Sequence, residues 1–352
     1  MVVGADGSLP LPWLQVPLRQ ALQQQRAHAL LLQAEQGIGA LEFLLTLAQA
    51  WLCESTDAAP PCGQCASCRL LQSGSHPDLH LLMPESLRGL YGGAAQADDE
   101  TADGAKARKK PSRQIRIDEV RAAIDWVVQS SSRGQAKVVL LHPAEAMNLQ
   151  AASALLKTLE EPPGQARLLL STADEARLLP TVRSRCQRIR LAGPPAEQAT
   201  AWLEEQGVRD APVLLAAAGG APLAARELAA AGIDAAAWLD LPRAMARGQA
   251  AALAGWPVPR AVDALQKLCH DALVVSVGGA PRYFAVQALP PGARPGPLIA
   301  WAKSLARVAR HDEHPWNDGL LVEALVSEGR ACWQEATTRG SRRGRALDTL
   351  AR

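Results

Sequence analysis

Ala29-Leu30-Leu31-Leu32-Gln33-Ala34-Glu35-Gln36-Gly37-Ile38-Gly39-Ala40-Leu41 is the stretch on which the fold turns. The short apolar run Ala29 to Leu32 gives way to a turn carrying Gly37 and Gly39, as a buried strand would. From Leu41 to Leu52 apolar residues recur at helical spacing. Strand, glycine turn and helix in that order open an α/β domain of the phosphate-loop kind.

A working phosphate loop reads G-x-x-x-x-G-K-[ST], with the Lys on the terminal phosphates and the hydroxyl on magnesium. In the matching window, Ala34 to Leu41, the Lys position holds Ala40 and the hydroxyl position holds Leu41. Gly37 and Gly39 keep the turn, while Glu35 adds negative charge where phosphates would lie. The partner motif is a strand ending in Asp-Glu, which supplies the metal carboxylate and orients the attacking water. The corresponding strand, Lys137 to Leu141, runs instead into His142-Pro143. Lys, hydroxyl and both carboxylates are missing together, so ATP chemistry by this chain is not expected. His142 as a substitute base is the weaker reading, because a strand-end His is more often packed or hydrogen-bonded.

Outward from this stretch, a Gln-rich helical segment (Leu18 to Ala27) precedes the first strand. Beyond residue 115 the pattern alternates. A helix carries Val120, Ile124, Val127 and Val128, and the strand Val138 to Leu141 follows. The next helix, Leu149 to Glu161, lines up Ala152, Leu155, Leu156 and Leu159 and is stopped by Pro162-Pro163. A strand at Leu168 to Leu170, a short helix around Glu175 to Leu179 and a strand at Arg188 to Leu191 complete the unit. Such alternation predicts a largely parallel sheet covered on both faces. After Gly193-Pro194-Pro195 the strand signals end. The expected organisation is an α/β core over 1–192, helical domains over 193–245 and 246–336, and a basic, frayed tail over 337–352. Residues 87–113, acidic and then basic with almost nothing apolar to bury, read as a flexible surface insertion.

Cys53, Cys62, Cys65 and Cys68 have the spacing C-x8-C-x2-C-x2-C, so four of the seven Cys fall within sixteen residues. Two-residue gaps let a tight turn present neighbouring sulfurs to one ion, and four thiolates close a tetrahedral zinc shell. A closed shell leaves no site for water, which makes the expected zinc structural. His76 and His80 are surplus to it and read as loop residues.

Bulk properties set the limits. The 352 residues exceed one ordinary domain, 48% are hydrophobic, and Ala and Leu dominate, which favours helix. A net charge of +2 argues against capture of nucleic acid by the whole chain. The first residues carry no secretory pattern and no apolar run is long enough to span a membrane, so a cytoplasmic, reducing setting is expected.

Two longer motifs carry a resemblance. Ala151-Ala152-Ser153-Ala154-Leu155-Leu156-Lys157-Thr158-Leu159-Glu160-Glu161-Pro162-Pro163 and Leu178-Leu179-Pro180-Thr181-Val182-Arg183-Ser184-Arg185-Cys186 resemble segments of the clamp-loader subunits of bacterial DNA polymerase III. The four-cysteine insert and His28 to Leu32 leading into the glycine turn match as well. The resemblance implies an AAA+ core with a zinc-binding insert, a helical lid and a helical collar. It implies a non-catalytic subunit working in DNA replication beside the ATPase subunits (tau/gamma) and the delta subunit. Through that assembly it would meet the sliding clamp and primer-template DNA. In that family the Arg of Ser-Arg-Cys reaches a neighbour's ATP, which makes Arg185 the expected arginine finger acting in trans. Thr172 stands where active subunits carry a polar sensor. Leu223 stands where they carry a phosphate-sensing Arg, with Arg226 three residues on. Arg183 and Arg188 are open to the same interface or to the DNA backbone. The competing readings are an active ATPase with an aberrant loop and a zinc-containing DNA-binding protein unrelated to ATP. Against the latter stand the near-neutral charge and the absence of a Cys/His finger pattern.

Overall fold

A computed structural model describes residues 2–24, 27–56, 59–89, 111–310 and 317–334. Most of the insertion expected at 87–113, and all of the tail at 337–352, lie outside them. The chain forms two compact units, Met1–Trp202 with Ala221–Ala224, and Leu203–Gly220 with Ala225–Arg352.

The first unit is built on a five-stranded sheet in the order β2-β3-β4-β1-β5, every pair parallel. Its strands are β1 (Ala29–Ala34), β2 (Leu79–Leu82), β3 (Lys137–Leu141), β4 (Ala166–Thr172) and β5 (Gln187–Leu191). The central strands are near-continuous apolar runs, as strands covered on both faces must be: Leu30, Leu31, Leu140, Leu141, Leu169 and Leu170 have no exposed surface. At the β5 edge Gln187, Arg188 and Arg190 are exposed, and charged side chains discourage further strand pairing there.

Helices α1 (Gln15–Gln24), α2 (Ala40–Leu52), α3 (Ala66–Gln72), α4 (Glu85–Arg88), α5 (Ile117–Val128), α6 (Leu149–Glu160) and α7 (Pro180–Arg183) complete the unit. Val120, Ala123 and Val127 of α5 share a core with Ala152, Leu155 and Leu159 of α6 and with Leu31, Val139 and Leu168 of the sheet. Asn148 caps α6 by accepting from the Ala151 N–H at 2.8 Å. α2 is buried along almost its whole length. Each of its fully buried Leu side chains contributes about 2 kcal/mol.

The helix carrying Val120, Ile124, Val127 and Val128 is α5, with Val128 exposed at its end. Two expectations need correcting. The helix expected at Glu175 to Leu179 is a single 3-10 turn, Glu175–Arg177, before α7. His80 is a strand residue of β2 rather than a loop residue, whereas His76 lies in the loop before β2, as expected, and is buried there. β2 itself, only four residues long, had no periodic signal of its own.

The second unit has no strand among its described residues. It contains α9 (Ala211–Ala217), α11 (Ala235–Ala246), α12 (Val258–Ser276), α13 (Pro295–Arg310) and α14 (Asp318–Arg330), while α8 (Ala196–Glu205) and α10 (Pro222–Ala230) run across the unit boundaries. Trp238 stacks on Phe284 at 4.6 Å, and Trp301 donates its ring N–H to the Leu325 carbonyl at 2.9 Å. Asp271 of α12 is fully buried and accepts the backbone N–H groups of Arg282, Tyr283 and Phe284 at 2.9, 2.7 and 2.8 Å. A buried carboxylate needs such donors, so this one fixes the loop that it caps. No single described helix is long and apolar enough to cross a membrane.

Candidate functional site

The glycine turn lies where the sequence places it, between β1 and α2. Gly37 and Gly39 have φ of +81° and +99°, conformations that side chains oppose. Space forbids a side chain as well. A Cβ at Gly37 would come within 2.8 Å of the Ala224 Cβ, and one at Gly39 within 2.3 Å of Leu11 Cδ1. The Leu223 N–H donates to the Gly37 carbonyl at 2.9 Å, and the Trp13 ring N–H donates to the Ile38 carbonyl at 2.9 Å. The turn is thus packed from one side by Ala221–Ala224 and from the other by Leu11 and Trp13. Leu41, at the hydroxyl position, is 1% exposed and is a core residue of α2.

At the ends of β3 and β4 the polar groups face one another. His142 Nδ1 lies 2.6 Å from Ser171 Oγ, and burial pushes the imidazole down to about 4. Thr172 is buried, and its hydroxyl accepts from the Asp174 N–H at 3.2 Å, closing the turn after β4. Leu223 is buried, and Arg226 is exposed.

The four cysteines converge. Their sulfurs all lie within 4.8 Å of one another, with Cys53 to Cys65 and Cys62 to Cys68 each at 3.9 Å. Sulfurs bound tetrahedrally to one zinc at ~2.3 Å sit about 3.8 Å apart, so the cluster fits the ion. The Cys65 N–H donates to Cys62 Sγ at 3.3 Å and the Cys68 N–H to Cys65 Sγ at 3.4 Å. The Cys65 and Gln64 backbone donors pull the Cys62 thiol down to about 6, whereas burial pushes Cys53 and Cys68 up.

Neighbours tie this module to the core. Arg133 clasps Glu54 through Nε and Nη2 at 2.5 and 3.0 Å, which lowers the Glu54 carboxyl below its ordinary range. His76 Nδ1 accepts the Asp78 N–H at 3.0 Å, so its Nε2–H faces Ser67 Oγ at 2.8 Å. The Ser67 hydroxyl in turn donates to the Leu52 carbonyl at 2.5 Å.

Arg185 follows α7, and its side chain is 30% exposed. Its Nε donates to Glu160 Oε1 at 2.6 Å, its Nη2 reaches the same carboxylate, and its Nη1 donates to the Thr181 carbonyl at 2.9 Å. Cys186, buried beside it, holds the strand start in the core, and burial pushes its thiol up to about 12. Arg188 pairs with Glu175 at 3.4 Å. Arg183 Nε is buried with no hydrogen-bond partner among the described residues. Sequence reasoning missed Glu160 as the partner of Arg185, and it missed Leu11 and Ala221–Ala224 as the packing of the glycine turn. The small residues Ala221 and Ala224 were the available signal, since only small groups approach a glycine turn so closely.

A parallel five-stranded sheet with a glycine turn between β1 and α2 defines an α/β core of the phosphate-loop kind, and this one carries a four-thiol insert. A family model described as DNA polymerase III, delta subunit, matches residues 14–195. DNA polymerase III subunit delta' of Pseudomonas aeruginosa is 40% identical over 228 residues, 63% of this chain and 62% of that one. The Escherichia coli subunit delta' is 31% identical over 288 residues, 76% of this chain and 79% of that one. The E. coli subunit tau is 30% identical over 177 residues, half of this chain and 23% of that one. The chain therefore spans less than two thirds of the Pseudomonas relative and more than three quarters of the E. coli one. It belongs to the DNA polymerase III delta' family.

Proposed function

We propose that this chain is a non-catalytic clamp-loader subunit that binds no ATP of its own and acts on the ATP of a neighbour in DNA replication. The observation that carries this reading is the contrast at its two motifs. The glycine turn is packed by Leu11 and Ala221–Ala224 and lacks Lys and hydroxyl, while Arg185 stands at the surface in an intact Ser-Arg-Cys motif.

In this reading Arg185 is an arginine finger. A planar guanidinium supplied in trans stabilises the charge that develops on a transferring γ-phosphoryl group. The Arg185 guanidinium is held by Glu160 and by the Thr181 carbonyl, contacts that a phosphate would have to displace. The likeness to delta' and tau relatives supports assembly with the tau/gamma ATPase subunits and delta, and through them with the sliding clamp and primer-template DNA. Residues 193–245 would serve as lid and 246–336 as collar. Cys53, Cys62, Cys65 and Cys68 would hold one structural zinc, which supplies cross-linking rather than a reactive centre.

The test is reconstitution with tau/gamma and delta, with and without Arg185→Ala. The variant should assemble and lose turnover at the adjoining ATP site. Unchanged turnover in an intact assembly refutes the finger. Calorimetry of the isolated chain with magnesium-ATP should show no binding, and micromolar affinity would restore the competing ATPase reading. Metal analysis should find about one zinc per chain, as one closed site requires.

A further inference from the structure

We infer that the cysteine module is a docking site for the chain's own residues Val3–Ala5, and that this docking holds Leu11 and Trp13 against the glycine turn. The module's partner is thus a strap of this same chain. The inference rests on the zinc reading only for its metal arm.

Both edges of Val3 are taken. Its N–H donates to Gln49 Oε1 of α2 at 2.8 Å, and its carbonyl accepts from Gln49 Nε2 at 3.1 Å and from Gln72 Nε2 of α3 at 2.9 Å. Gln72 also donates to the Gly63 carbonyl at 2.7 Å, so one amide joins the strap to the turn between Cys62 and Cys65. Gln64, in that same turn, donates to the Ala5 carbonyl at 3.0 Å. Gly63 is required at this contact. It has φ of +73°, and a Cβ on it would stand 2.0 Å from the Gly4 carbonyl oxygen. The strap therefore lies on bare backbone of the thiol-bearing turn.

From there the chain is short and folded. Gly4 donates to the Ser8 carbonyl and Gly7 to the Gly4 carbonyl, each at 3.0 Å, which leaves little slack before Leu11. Leu11 is 2% exposed against Gly39, and Trp13 donates to Ile38. A strap fixed at one end by the module presents Leu11 at the turn with its conformational entropy already lost, whereas an unanchored one must lose it on docking. The module thus has a purpose that thiol spacing does not reveal: it keeps one side of the degenerate phosphate loop covered.

The test is amide hydrogen exchange on the full chain, read on peptides covering 2–14 and 35–41, with the β3 segment 137–141 as control. Gln64→Ala/Gln72→Ala removes both module side chains from the strap and leaves every Cys in place. This double variant should keep its metal, and exchange at 2–14 and 35–41 should rise about tenfold or more, as the loss of one or two net hydrogen bonds implies. Chelation of the unaltered protein, with metal loss measured, should give the same rise while β3 stays protected. If the double variant leaves both peptides as protected as before, the docking is overturned. So it is if chelation strips the metal and the strap does not respond. Should chelation expose β3 as well, the double variant alone decides. If the purified chain carries no metal, the zinc reading falls and the double variant still judges the docking.

Discussion

The glycine turn and the Ser-Arg-Cys corner flank one sheet, and they differ in kind. At the turn, Ala40 and Leu41 stand at the Lys and hydroxyl positions of the motif, and the backbone serves as a packing surface for Leu11, Trp13 and Ala221–Ala224. At the corner a charged Arg185 is partly exposed and paired with a single carboxylate, Glu160. Closing a site takes only apolar residues of the right size, and many sequences supply them. Keeping a cation at a surface, aimed by one ion pair, adds little stability, since such pairs contribute about 0–1 kcal/mol. The stability of this chain therefore does not account for Arg185.

The comparison can be broken at several points, the largest effect first. Arg185→Ala should lower turnover at the adjoining ATP site of a reconstituted assembly on the order of 10³-fold, while the chain's own stability changes by less than about 1 kcal/mol. Single-turnover ATP hydrolysis and urea unfolding measure the two. A large stability loss would make the arginine a structural residue like those at the turn.

Leu11→Ala should show the reverse pattern, costing about 3 kcal/mol in urea unfolding, as a buried Leu does on truncation. An effect within error would mean that Leu11 merely rests on Gly39.

Next is pH. His142 has an ordinary value of 6.5 and a folded value of about 4. As pH falls below about 6.5 the unfolded imidazole takes up protons that the folded one refuses, so stability is full above that pH and is lost toward pH 4. Between pH 7.5 and 5 the loss should be about 2 kcal/mol, absent in His142→Gln. Equal slopes for the two proteins would place His142 in contact with water.

The smallest expected effect sharpens the comparison most. Ala40→Lys with Leu41→Thr restores the Lys and the hydroxyl, with Ala34 still at the motif's first Gly position, yet calorimetry should still detect no magnesium-ATP binding, because Leu11 and Ala221–Ala224 continue to pack the turn. Micromolar binding would show that missing charge alone, and not packing, had closed the site.

Much of the fold was legible where periodicity was strong. β1, α2, β3 and α6 lie within a residue or two of where their apolar spacing and flanking glycines or prolines put them. The thiol cluster was legible too, since two-residue gaps constrain sulfurs locally. β2 was not, because four residues beside a parallel neighbour carry no pattern apart from the sheet that buries them. His76 shows the same limit. Its ring bridges Ser67 and Asp78 inside the core, and sequence distance gives no hint of that network.

The sequence by itself determined that the glycine turn lacks its Lys, its hydroxyl and its carboxylates, that four thiols are spaced for one ion, and that Arg185 stands in an unbroken motif. These are matters of residue identity and local spacing, which the chain carries directly. Only the tertiary structure decided what packs that turn and what pairs with Arg185. Leu11 and Ala224 reach the turn from 28 residues before it and 187 after it. Glu160 meets Arg185 across 25 residues, and Val3 lies on the cysteine turn across 60. Such contacts arise when distant segments bury surface against one another, and no local preference of the chain encodes which segments those will be.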